Sequence, residues 1–137
     1  MRQSWLFGIV SAVLPIAGSL MLGVQKERLP DPLDPLIAAP EFHKLVVENE
    51  KVRVLDVQVK PGEFEPLHRH PQSVIVILQG GKVRFGLPDG SHQEVSFSAT
   101  PDPGEQQPSQ VFWTEPEIHS VKNIGNTAVR LIRVEIK

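Results

Sequence analysis

The chain has no cysteine among its 137 residues, which excludes disulfides and thiolate ligands. A metal site in it has to be built from His, Asp, Glu or amide oxygens. It also has no basic block. Its 14 Lys and Arg and 16 Asp and Glu are scattered, giving a formal charge of −2. Nucleic acid is not expected as a partner, because phosphate binding needs a basic face. No glycine-rich phosphate loop, serine nucleophile elbow or paired-carboxylate arrangement is visible, so those enzyme classes have no support. Amphipathic helices of ordinary length and internal repeats are absent too.

Proline is abundant, with 13 in the chain, and it marks loops and sheet edges rather than helix interiors. After Arg2 there is no charge from Gln3 to Gln25. The apolar stretch from Trp5 to Val24 is long enough to cross a bilayer as a helix. A positive start, an apolar centre and the small residues Ala17-Gly18-Ser19 also describe a secretory signal peptide. Residues 1–24 are therefore expected to be a cleaved signal peptide or an uncleaved signal anchor. Cleavage makes the protein periplasmic or secreted; retention tethers it to the inner membrane with its domain outside the cytoplasm. A buried N-terminal helix is disfavoured by Gly8, Pro15, Gly18 and Gly23. Residues 25–42, with "LPDPLDPLIAAPEF", are expected to form a semi-extended proline-rich linker.

Residues 43–137 read as β throughout. "HKLVVEN", "KVRVLDVQVK", "FEPLHRH", "SVIVILQ", "KVRFGL", "HQEVSFS", "VFWTEP", "IHSVKN" and "AVRLIRVEIK" are the strand candidates. Pro61-Gly62, Gly80-Gly81, Pro88-Asp89-Gly90-Ser91 and Gly125-Asn126 separate them. The dense run "SVIVILQ" is typical of a strand buried on both faces. Short strands with frequent turns predict an all-β sandwich or barrel.

His68 and His70 are two apart on an extended segment, so both point to one face with Arg69 turned away. Two imidazoles on one face can grip one metal ion from adjacent positions. His119, about fifty residues on, offers the third nitrogen that a three-histidine site needs. His43 and His92 are expected to be solvated or paired with backbone. Arg84, Phe85 and Trp113 are candidates to line a pocket, with core packing the preferred reading of Trp113. Asn123 is expected to bond a turn backbone.

Taken together, "GEFEPLHRHPQSVIVILQGG" resembles the first motif of the cupin superfamily: a glycine, His-x-His, a glutamate and a final glycine at set spacings. Gly62, His68, His70 and Gly81 fall on its positions. "TEPEIHSVKN" resembles the second motif, with His119 and Asn123 on its histidine and asparagine, and Thr114 and Pro116 where its proline and glycine stand. The likeness covers residues 43–137. It implies a cupin-type double-stranded β-helix, a jelly-roll-like barrel, with a small-molecule pocket inside. It implies a divalent ion (Fe, Mn, Zn, Ni or Cu) held by His68, His70 and His119, with metal-dependent activity such as that of a dioxygenase or isomerase. It also implies a homodimer formed through an edge strand such as "AVRLIRVEIK".

One departure matters. The motif glutamate falls on Val74, or on Ile75 with the longer spacing, and neither binds metal. Glu63 and Glu65 are out of phase with the histidines on a regular strand and are expected to point away from the pocket. Gln72, Glu105 and Gln110 are further candidates for an oxygen ligand. The missing acid sustains a second expectation: a metal-free, non-catalytic cupin that binds a small molecule or serves as an interaction module.

Overall fold

The computed structural model describes residues 29–99 and 111–137. The apolar segment 1–24, Glu105 and Gln110 lie outside the described residues. Among those described, the strands are β1 (His43–Glu48), β2 (Val52–Val59), β3 (Phe64–His70), β4 (Ser73–Gln79), β5 (Gly81–Gly86), β6 (His92–Phe97), β7 (Val111–Thr114), β8 (Glu117–Asn123) and β9 (Val129–Ile136). A single helical turn, α1 (Pro35–Ala38), precedes them. The strands form a five-stranded sheet, β1-β2-β9-β4-β7, and a four-stranded sheet, β3-β8-β5-β6. The pairings are antiparallel.

Alternation in the sequence becomes the two faces of each sheet. Leu55, Val57 and Val59 of β2 are buried, as are Ile75 and Ile77 of β4. Val74 and Val76 are only half-buried, so the run expected to be covered on both faces is fully covered on one. Val83, Val121 and Val129 form a buried cluster against Phe85, Val95 and Phe97. Each such side chain contributes about 1.5–3 kcal/mol on burial. The β5–β6 hairpin closes at Gly90, whose φ of 83° suits glycine.

Two expectations change here. The strand "AVRLIRVEIK" is not an edge: β9 pairs along its length with β2 on one side and β4 on the other. Its apolar, β-branched pattern belongs to a central strand. The segment expected as a linker is docked from Asp31 onward. The backbone N–H of Arg69 donates to Leu33 O at 2.7 Å, and Asp31 pairs with the Arg69 guanidinium at 2.8 Å. Pro35 starts α1 and is buried, as proline at the first helical position allows, and Ala39 is buried beyond it. Proline restricts φ without preventing docking, and here charged partners hold the segment down.

Asn123 ties the two sheets together. Its Nδ2 donates to Val59 O and Thr127 O, both at 2.8 Å, and its Oδ1 accepts from Gly125 N at 2.9 Å. Replacing it strands three backbone groups, so Asn123→Ala is expected to cost about 3 kcal/mol in urea unfolding. A loss below ~0.5 kcal/mol would show that water replaces the side chain.

Candidate metal centre

The site is built on β3, and its geometry comes from a bulge. Glu65 pairs with Val121 and His68 with His119, so three steps on β3 oppose two on β8. The extra residue falls beside Pro66, which has no N–H for the ladder. The slip turns Glu65 to the same side as His68 and His70. This overturns the expectation that Glu65 points away: it is 2% exposed and lines the cavity. Regular alternation fails because the strand is not regular there. Glu63 does follow expectation; its carboxylate accepts from Lys60 N at 2.7 Å in the adjoining turn.

Four imidazoles meet at this point. His68 and His119 face each other across β3 and β8, with ring centroids 4.7 Å apart. His70 lies 4.7 Å from His68 and 5.6 Å from His119. His43 enters from β1 of the opposite sheet, 4.9 Å from His68 and 5.2 Å from His70. It was expected to be solvated or backbone-paired. It is backbone-paired but buried in the cavity wall, because β1 sets it against the inward-facing Val57. One ligand atom from each of His43, His68 and His70 lies within 4.8 Å of the others. His119 stands next to this group, its ring also against Phe85 at 5.0 Å.

Each ring is oriented through Nδ1. His68 Nδ1 donates to Pro66 O at 2.7 Å, His70 Nδ1 to Glu135 Oε1 at 2.6 Å and His43 Nδ1 to Ala39 O at 3.1 Å. His119 Nδ1 lies 3.4 Å from Glu117 Oε2. A proton held on Nδ1 leaves the Nε2 lone pair free to bind. Nε2 of His43 and of His68 is buried with no hydrogen-bond partner among the described residues, and so is Glu65 Oε1. Glu65 Oε1 is 3.2 Å from His43 Nδ1 and 3.7 Å from His68 Nε2.

Burial dominates the electrostatics. Desolvation lowers His43 to about 3 and His68 to about 4, helped by the nearby Arg133 charge. It holds His70 far below the usual histidine range. Desolvation pushes Glu65 up to about 8. His43, His68, His70 and Glu65 are thus neutral near pH 7, as ligand imidazoles must be. Burial also works against the Glu117 carboxylate, but His119 and Arg133 outweigh it and bring the group down to about 2.

The cavity around the cluster measures about 270 Å³. Its walls are apolar, with Phe85, Phe97, Phe112 and Leu131 among them. Of the two positions on which the motif acid could fall, Ile75 lines the cavity and Val74 does not. Phe85 lines the cavity as expected, but Arg84 lies outside, paired with Glu94 at 2.7 Å. Trp113 is neither core nor pocket: it is 50% exposed and donates to Glu115 at 2.9 Å. Gln72 is not in the lining, and His92 is exposed on the β5–β6 hairpin.

No family model matches the chain, and no curated protein matches it. Solved structures do share its fold. A cupin domain from Bordetella pertussis Tohama I superposes with a TM-score of 0.56 at 23% identity, over 69% of this chain and 91% of that one. A conserved protein with a double-stranded β-helix domain from Klebsiella pneumoniae subsp. pneumoniae MGH 78578 gives 0.51 at 16% identity, over 69% and 74%. This chain has the cupin fold, the double-stranded β-helix.

The buried groups predict a stability maximum near pH 6.5 in chelator-treated protein. Below pH 6.5, unfolding lets three histidines bind protons that burial denies them, while Glu65 loses the one it keeps when folded. Two protons are taken up on balance, so stability falls by about 2.7 kcal/mol per pH unit from 6.5 towards 4.5. Between pH 6.5 and 8 only the Glu65 effect remains, and stability falls as pH rises, by about 1.4 kcal/mol per unit. Urea unfolding across this range tests both limbs. Glu65→Gln should remove the alkaline limb and steepen the acid limb from two protons to three, about 4 kcal/mol per unit, and a flat wild-type profile would contradict the buried, neutral His43, His68, His70 and Glu65.

Proposed function

We propose that this protein binds a divalent metal ion at the imidazole cluster and a small molecule in the cavity beside it. The observation that carries the reading is the orientation of the rings. Their Nδ1 atoms are occupied by protein acceptors, and buried Nε2 atoms are left without partners. Satisfied core histidines would not leave buried nitrogens unpaired. His68, His70 and His119 are the ligands that the motifs suggest, and His43 is a fourth imidazole within reach. Glu65 Oε1 supplies the anion that Ile75 does not, once its proton is released. Nitrogen and carboxylate donors suit Fe, Mn, Zn, Ni or Cu. Such an ion supplies Lewis-acid or oxygen-activating chemistry when bound. The apolar walls orient a ligand and keep bulk water away from the donors.

Elemental analysis of tag-free protein tests this. Near-stoichiometric metal is expected, and His68→Ala and His70→Ala should each abolish it. Added metal at one hundred times Kd should stabilise the chelated protein by about 2.7 kcal/mol. Metal-free wild-type protein whose melting temperature ignores added Mn, Fe, Zn, Ni and Cu would sink the proposal.

A second reading has its own support. Ile75 replaces an acid, and the fixed charge of Arg133 depresses the neighbouring histidines, which also opposes a bound dication. These features favour a metal-free cupin that binds a small molecule without catalysis. The same metal measurement separates the two.

The proposal also places the domain outside the cytoplasm, on the strength of the charge-free stretch after Arg2. Mass determination of the mature chain is expected to show cleavage after the small residues near Ala17, or an intact N-terminus in the membrane fraction. An intact chain in the soluble cytoplasmic fraction would contradict export.

A further inference from the structure

Two buried donors remain that the imidazole cluster does not use. Arg133, on β9, is 4% exposed. Its Nη2 donates to Glu117 Oε1 at 2.5 Å, while Nη1 is buried and has no hydrogen-bond partner among the described residues. Thr114, on β7, has a buried Oγ1 in the same condition. Both residues line the cavity.

The register brings these donors to the same part of the wall. Across β9, β4 and β7, Arg133 stands opposite Ile75 and Ile75 opposite Phe112. In the next inward-facing row, Glu135 is opposite Ser73 and Ser73 opposite Thr114. Arg133 thus stands beside Ile75, and Thr114 lies one inward row along on the far side of β4. A guanidinium edge and a hydroxyl are complementary to the two oxygens of a carboxylate. Leaving both unpaired in an apolar wall is costly, more so for the charged group. Beyond the imidazoles, Glu65, Gln93 and Glu117, the rest of the lining is apolar: Phe97 and Phe112 stack 6.0 Å apart, with Phe85 and Leu131 nearby. The volume lies near the lower end of what small-molecule sites occupy.

We propose that the cavity binds a small monocarboxylic acid with an aromatic or branched apolar body, its carboxylate held by Arg133 Nη1 and Thr114 Oγ1 beside Ile75. The ligand's apolar body lies against the phenylalanines. The assignment goes beyond the metal reading and stands without it, because neither donor belongs to the imidazole cluster.

Calorimetry on the full chain, chelator-treated, tests it with benzoate and 4-methylpentanoate against their uncharged amides. At least one acid should bind and raise the melting temperature, and its amide should bind about tenfold more weakly or worse. Arg133→Met should cost the acid about tenfold or more, and Thr114→Val less but measurably. If Arg133→Met fails to fold, the acid-to-amide comparison on wild type and Thr114→Val decide the matter. Equal binding of acid and amide would overturn the proposal, as would no binding of either acid to chelated protein. Metal uptake is read separately, so failure here leaves the metal reading intact, and failure of metal uptake leaves this one intact.

Discussion

The carboxylate of Glu135 is the contact on which the arrangement of the site depends. It is 1% exposed, and both its oxygens are engaged. Oε1 takes the Nδ1 proton of His70, and Oε2 takes the Nε–H of Arg53. Arg53 in turn reaches Asp34 Oδ2 at 2.6 Å, and Asp34 caps α1 through Leu36 N at 2.9 Å. One line of polar contacts thus runs from the proline-rich segment through β2 and β9 to a histidine of β3. It links the two sheets where no backbone ladder does. Burial works against the Glu135 charge and raises its pKa, while Arg53 opposes that shift. Networks of this kind are worth keeping only when fully satisfied, and every member of this one has a partner.

The segment before β1 therefore belongs to the site. Ala39 O fixes the His43 ring, and Asp34 holds the arginine behind the partner of His70. The imidazoles are fixed from behind by four different acceptors: a segment carbonyl, a β3 carbonyl, a β9 carboxylate and a β8 carboxylate. Such support sets ring direction and tautomer before any ligand arrives. The cavity then draws on both sheets. Glu65, His68, His70 and His119 come from the four-stranded sheet and His43 from the five-stranded one, which also carries Arg133, Ile75 and Thr114.

The strands could be read from the sequence because period-2 alternation and turn residues are local properties. His68 and His70 share a face for the same reason, and Asn123 bonds turn backbone as its side chain favours. Glu65 could not be read correctly, since its direction depends on a one-residue slip against β8, and slips are decided by pairing. Pro66 was the one local sign that the ladder breaks there. His43 had no signal at all, being a lone histidine at the start of a strand. Arg133 had no signal either, being one charged residue in the mostly apolar strand "AVRLIRVEIK".

The sequence by itself determined the class of fold, the pairing of His68 with His70 and the absence of thiolate ligands, because each follows from residue type and local spacing. Tertiary structure decided that Glu65 lies beside the imidazoles, and that Ile75 and Arg133 face the cavity. Those outcomes depend on the register between strands distant in sequence. A slip of one residue exchanges the faces of a strand, and only the packed sheets select one register.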